Sequence, residues 1–117
     1  MKTLNEAKRL RVYISSTDKF RHYPLYEVIV FAAKRYGISG ATVYKGIMGY
    51  GSTSIIHSNK LWELTEKMPL IVEIVDEAEK IDEFFEIIKP YFEKISKGCL
   101  ITLDYTRIIM QKTGVKK

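Results

Sequence analysis

The chain has 117 residues and a net charge of +5, with 46% hydrophobic and 28% charged residues, a length and balance that fit one soluble domain able to bury a core without disulfides or structural metal. Its single cysteine, Cys99, excludes an internal disulfide and points to a reducing, cytoplasmic setting, and no apolar run nears the ~20 residues of a membrane span. The basic bias is scattered or terminal (Lys2, Lys112, Lys116, Lys117) and lacks an Arg-rich helix or an aromatic RNP-like motif, so no nucleic-acid partner is expected; the same bias would attract a small phosphorylated ligand.

Arg9–Ile14 alternates polar and apolar residues, which predicts a strand with Leu10, Val12 and Ile14 turned inward. Ser15-Ser16-Thr17-Asp18 breaks it. Pro24 suits a first helical position, Leu25, Val28, Ile29, Ala32, Ala33 and Tyr36 follow at helical spacing, and Gly37 suits the residue just past the helix end. A second strand from Ala41 to about Ile47 runs into a loop with Gly46, Gly49 and Gly51, followed by Ser52, Thr53 and Ser54. Glycines allow positive φ and close approach to the main chain, so this loop offers amide donors suited to a phosphate; the alternative is a plain flexible hairpin connection.

Residues 55–68, with Leu61, Trp62, Leu64 and Met68, fit either a helical turn or the return arm of a long hairpin. Trp62 reads as packing or as a partner anchor. Leu70–Val75 predicts a central strand. Asp76, Glu77 and Glu79 suit the start of a second helix, whose buried stripe is Ile81, Phe84, Phe85, Ile88, Phe92 and Ile95, with a kink expected at Pro90. The last strand begins at Leu100–Leu103 and is expected to resume at Arg107–Met110, before a frayed tail from 113 to 117.

The resulting order, βαββαβ, predicts a ferredoxin-like α+β sandwich: one antiparallel sheet with both helices on one face, in a single domain over 1–117 with its core at about 8–111. The helix-free face carries Tyr13 and Ile71, and an open apolar face on so small a chain implies an oligomer. Glu73 is expected either exposed on that face or paired across a subunit interface with Arg11 or Lys45.

Catalytic and metal chemistry is not expected. His22 and His57 are the only histidines and Cys99 the only thiol, at spacings that do not suit zinc. Cys99 reads as a small buried apolar residue. The acidic group Asp76, Glu77, Glu79, Asp82, Glu83 and Glu86 reads as a solvated helix face. No acid–base pair or nucleophile elbow stands out, so no catalytic residue and no resident cofactor are assigned; a small enzyme acting on a phosphorylated metabolite is the alternative.

The quoted residues Pro24-Leu25-Tyr26-Glu27, Gly40-Ala41-Thr42-Val43 into Gly46, Gly49-Tyr50-Gly51, Ile56-His57 and Pro69–Asp76 resemble the PII signalling proteins, and more closely the PII-like family catalogued as domain of unknown function 190, over about residues 8–111. The resemblance implies a homotrimer with adenine nucleotides in clefts between subunits. It also implies a projecting loop that touches a protein target, a membrane transporter or an enzyme. A metal-responsive PII-like trimer is a further alternative. The resemblance further implies a ligand site of Gly46, Gly49, Tyr50, Gly51, Ser52, Thr53, Lys97, Gly98 and Lys112. In PII proteins a glycine-rich run ends in a lysine that holds phosphate; here Cys99 takes the lysine position and Lys97 stands nearby. Two arginine positions near the C-terminus hold Met110 and Lys112. Losing such cations, at about 1.5–3 kcal/mol each, implies an effector such as AMP or ADP rather than ATP.

Overall fold

The computed structural model describes residues 6–50 and 67–115 and the backbone of 57–58. In chain order the elements are β1 (Ala7–Ser15), β2 (Lys19–Phe20), β3 (Tyr23–Pro24), α1 (Leu25–Tyr36), β4 (Ala41–Lys45), β5 (Met48–Gly49), β6 (His57–Ser58), β7 (Pro69–Glu77), α2 (Ala78–Glu93) and β8 (Leu100–Thr106). Four strands form one sheet in the order β4-β7-β1-β8, and every adjacent pair is antiparallel. That is the ferredoxin-like arrangement expected from the element order. β2 pairs with β3, and β5 with β6, as separate two-residue ladders.

Side-chain alternation decides which face of the sheet is covered. Leu10, Val12 and Ile14 stand opposite Ile74, Val72 and Leu70 at the sheet centre, and all six are buried. Leu25, Ile29, Ala32 and Ala33 of α1 and Ile81, Phe84 and Ile88 of α2 close over them. Each helix presents most of its predicted stripe, because residues three and four apart share a face; Ile95 lies past the end of α2 and Val28 of α1 is outside the core cluster.

The helix ends follow from local chemistry. Pro24 is the residue preceding α1 rather than its first helical residue, and it also belongs to the β2–β3 ladder. Gly37 ends α1 in the left-handed conformation, φ 91°, with the Ile38 amide returning to the Ala33 carbonyl at 2.9 Å. The Lys80 ammonium donates to the Gly37 carbonyl and ties this turn to α2. Asp76 and Glu77 lie in β7, not in the helix. Asp76 is buried and accepts from the Ser39 amide at 3.0 Å and the Glu77 amide at 2.7 Å, so it is a structural acceptor and not part of a solvated acidic face. α2 continues through Pro90 to Glu93 as one helix.

Two strand expectations change. The second strand stops at Lys45 rather than Ile47, and Met48–Gly49 pair with His57–Ser58. At those two residues the chain is the return arm of a hairpin; the rest of 55–66, including Trp62, lies outside the described residues. The last strand is continuous from Leu100 to Thr106 and does not resume at Arg107–Met110. It ends where its partner does, since Thr106 faces Ala7, the first residue of β1.

Candidate functional site

The glycine loop leaves β4 beside the start of β7. The Gly46 amide donates to the Pro69 carbonyl at 2.9 Å. A Cβ built on Gly46 would lie 3.2 Å from Pro69 Cγ, and one on Gly49 would lie 3.5 Å from it. Neither glycine has a positive φ; among the described glycines only Gly37 does. Gly46 is therefore favoured by the close approach of a proline ring, against which a side chain would be tight, and not by a left-handed turn. Beyond it, Ile47, Met48 and Tyr50 are exposed. Gly51, Ser52 and Thr53 lie outside the described residues.

Lys97 and Gly98 occupy the connection from α2 to β8, and both are exposed. Lys97 meets a partner that the sequence pattern did not suggest. The connection and the last turn of α2 face the turn after β1, leaving a groove of about 430 Å³ lined by Thr17, Asp18, Lys19, Phe20, Arg21, Lys94, Ile95, Ser96 and Lys97. Lys112 is exposed in the segment after β8. Neither it nor Gly98, Gly46, Gly49 or Tyr50 lines this groove.

The wall made by residues 15–25 is pinned by a buried carboxylate. Asp18 Oδ2 accepts from the Ser15 amide at 2.9 Å, and the Asp18 carbonyl accepts from the Leu25 amide at 2.8 Å. This is the short acceptor side chain that turns favour. Phe20 packs on Tyr91 of α2 with ring centroids 4.9 Å apart. Arg21 takes φ 55°, uncommon for a residue with a side chain, and its guanidinium lies 5.3 Å from the Phe20 ring centre. The only sequence signal for this wall was Lys19-Phe20-Arg21, two cations around an aromatic between a turn-forming Asp and Pro24.

Cys99 is exposed rather than buried. Partial desolvation, with the nearby Asp18 carboxylate, pushes its thiol above the ordinary range. It is therefore protonated near neutrality and a weak nucleophile.

The helix-free face carries a polar row beside an apolar one. Arg11 Nε donates to Glu73 Oε2 at 2.8 Å, and Tyr44 Oη donates to the same oxygen at 3.4 Å. Glu73 thus pairs with Arg11 of its own chain on the adjacent strand of that face. Arg9 holds Asp104 at 2.6 Å, and that hydrogen bond draws the carboxyl below its usual range. One row along, Tyr13, Ile71, Tyr44 and Leu100 align across all four strands. Three of them, Tyr13, Tyr44 and Leu100, are exposed. Among the described residues, no group of three or more His, Cys, Asp or Glu could hold a metal ion. No described helix is long and apolar enough to cross a membrane.

A family described as "Uncharacterized ACR" matches residues 7–108. The chain belongs to this family, DUF190. Among its relatives, a UPF0166 protein of Aquifex aeolicus is 40% identical over 102 residues, covering 87% of this chain and 92% of that protein. The UPF0166 protein MJ1524 of Methanocaldococcus jannaschii is 41% identical over 103 residues, covering 85% and 89%. The fold of this chain is similar to that of CPII, a nitrogen regulatory PII-like protein from Thiomonas intermedia K12, solved with ADP, AMP and bicarbonate. That match has a TM-score of 0.61 and 18% identity, and covers 89% of this chain and 91% of CPII. Family and fold are those implied by the residues quoted above.

Proposed function

We propose that this DUF190 protein is a non-enzymatic PII-like regulator. As a single domain forming a cytoplasmic homotrimer, it binds an adenine nucleotide, AMP or ADP rather than ATP, between subunits. It then presents the loop from Gly46 to Ser58 to a protein target. The observation that carries this reading is the shared architecture with CPII, whose structure holds ADP and AMP. The exposed row of Tyr13, Tyr44 and Leu100 on the helix-free face supports burial against a second copy. The glycine loop, lodged against Pro69 at its root, is the element whose position a bound effector would bias. Population shift requires differential contacts to one loop state; loop amides at Gly49 and Gly51 beyond Gly46, the side chains of Tyr50, Ser52 and Thr53, and Lys97, Gly98 and Lys112 would supply them.

A thermal-shift panel of AMP, ADP, ATP, cyclic nucleotides and divalent metals tests this, because a ligand preferring the native state raises the melting temperature. ADP or AMP should stabilise most. Stabilisation by metal alone, or by ATP above the others, would overturn the reading.

A further inference from the structure

We propose that the end of the molecule bearing the glycine loop is a docking surface for an anionic membrane, with Lys19, Arg21, Lys45 and Lys94 meeting lipid headgroups and Ile47, Met48 and Tyr50 entering the boundary between headgroups and acyl chains. The proposal goes beyond the regulatory reading and does not depend on a nucleotide.

Strand register sets these residues at one end. Ser15 pairs with Pro69, Lys45 with Leu70 and Tyr13 with Leu100, so β1 and β4 finish where β7 and β8 begin. α1 starts at this end, its Leu25 amide bonded to the Asp18 carbonyl, and α2 finishes at it, with Tyr91 against Phe20. Lys19 and Arg21 therefore stand across the groove from Lys94, and Lys45 is the last residue of β4. All four cations are exposed. Charge is divided between the two ends. Among the described residues of the loop end the acids are Asp18, which is buried, Glu27 and Glu93. At the opposite end Asp76, Glu77, Glu79, Asp82 and Glu83 gather where β7 runs into α2, and the cations Lys34 and Arg35, in the last turn of α1, belong to that acidic end. A negatively charged bilayer attracts basic groups only within about a Debye length, so the distribution of charge between the ends matters more than the net charge.

Apolar exposure coincides with the basic end. Ile47 is 78% exposed, Met48 62% and Tyr50 70%. They lie on the segment that leaves Lys45 and pairs back through Met48–Gly49 with His57–Ser58. Tyr23, 67% exposed in the β2–β3 ladder beside the start of α1, adds an aromatic at the same end. Aliphatic side chains with tyrosine and lysine or arginine around them match the layers of a membrane boundary: aliphatics reach the acyl region, tyrosine sits at headgroup level and cations meet the phosphates. A lipid surface is favoured over an acidic protein because a fluid headgroup layer meets cations scattered over a turn, a strand end and a helix end without needing a complementary shape.

Co-sedimentation of the full chain with vesicles of phosphatidylcholine alone, and of phosphatidylcholine and phosphatidylglycerol in equal parts, tests the proposal. The parent chain should partition onto the phosphatidylglycerol vesicles and not onto phosphatidylcholine alone, and added salt should release it. Lys19→Gln combined with Lys94→Gln should weaken partitioning about 25-fold, at about fivefold for each cation. Lys34→Gln combined with Arg35→Gln removes the same charge from exposed positions at the other end and should leave partitioning unchanged. Ile47→Ser should weaken it about tenfold by removing a buried aliphatic group. These positions are all exposed, and an unchanged circular dichroism spectrum checks the fold of each variant. Equal weakening by the two double variants would reduce the attraction to net charge and overturn the docking surface. Failure of the parent to bind phosphatidylglycerol vesicles would overturn it too, and would leave an acidic protein as the partner of these cations. Vesicle binding without stabilisation by ADP or AMP would sustain the docking surface and overturn the nucleotide reading alone.

Discussion

Two glycines of this chain do different work, and substitution separates them. Gly37 sits at φ +91° with open space around it, its nearest neighbour being Lys80 Nζ at 3.8 Å. Gly37→Ala should therefore lose about 1 kcal/mol through backbone conformation alone. At Gly46 the backbone is ordinary and the obstacle is Pro69 Cγ at 3.2 Å, so Gly46→Ala should lose about 1 kcal/mol through crowding. The double variant Gly46→Ala with Pro69→Ala should recover part of that loss in urea denaturation, whereas Pro69→Ala should do nothing for Gly37→Ala. Asp104 gives a pH prediction. Arg9 lowers its folded pKa, so the unfolded chain binds more protons as pH falls below the ordinary carboxylate value near about 3.9. Its contribution is present above that value and lost as pH falls through the folded one. Asp104→Asn should flatten that limb of stability against pH, read from urea midpoints between about pH 5 and 2.

At the scale of elements, α2 does the most to define the molecule. Its inner stripe of Ile81, Phe84 and Ile88 is fully buried, while its last turn supplies Lys94 to the groove and its Tyr91 holds the β2–β3 hairpin. Phe84→Ala should cost about 3–5 kcal/mol in chemical denaturation, the range for removing a buried aromatic. Both helices were legible from apolar spacing, because a 3.6-residue period is a local property of the backbone. Strand ends were less legible. β8 stops where β1 stops offering hydrogen-bond partners, and the apolar run at Ile108-Ile109-Met110 carries no information about where that neighbour ends.

For the whole molecule, the unpartnered sheet face makes the sharpest prediction. Leu100 is exposed beside Tyr13 and in line with Tyr44. If copies associate through this face, Leu100→Lys should shift the sedimenting species from trimer towards monomer while leaving the far-ultraviolet circular dichroism unchanged, since the residue does not touch the helix-covered core. An unchanged trimer would place the interface elsewhere. The groove lies where the turn after β1 meets the far end of α2, so removing its cations should leave this assembly intact.

The order of the main elements, most of the two buried helical stripes and the inward residues of β1 were readable from the sequence, because periodicity and turn chemistry are set by neighbours along the chain; the likeness to DUF190 was readable in the motifs quoted above. Glu73's bond to Arg11, the proline that crowds Gly46, and the meeting of Lys19 and Arg21 with Lys94 and Lys97 were decided only by the packed structure. Each joins residues far apart in the chain, and their proximity depends on how strands register and how α2 docks on the sheet, which no local pattern encodes.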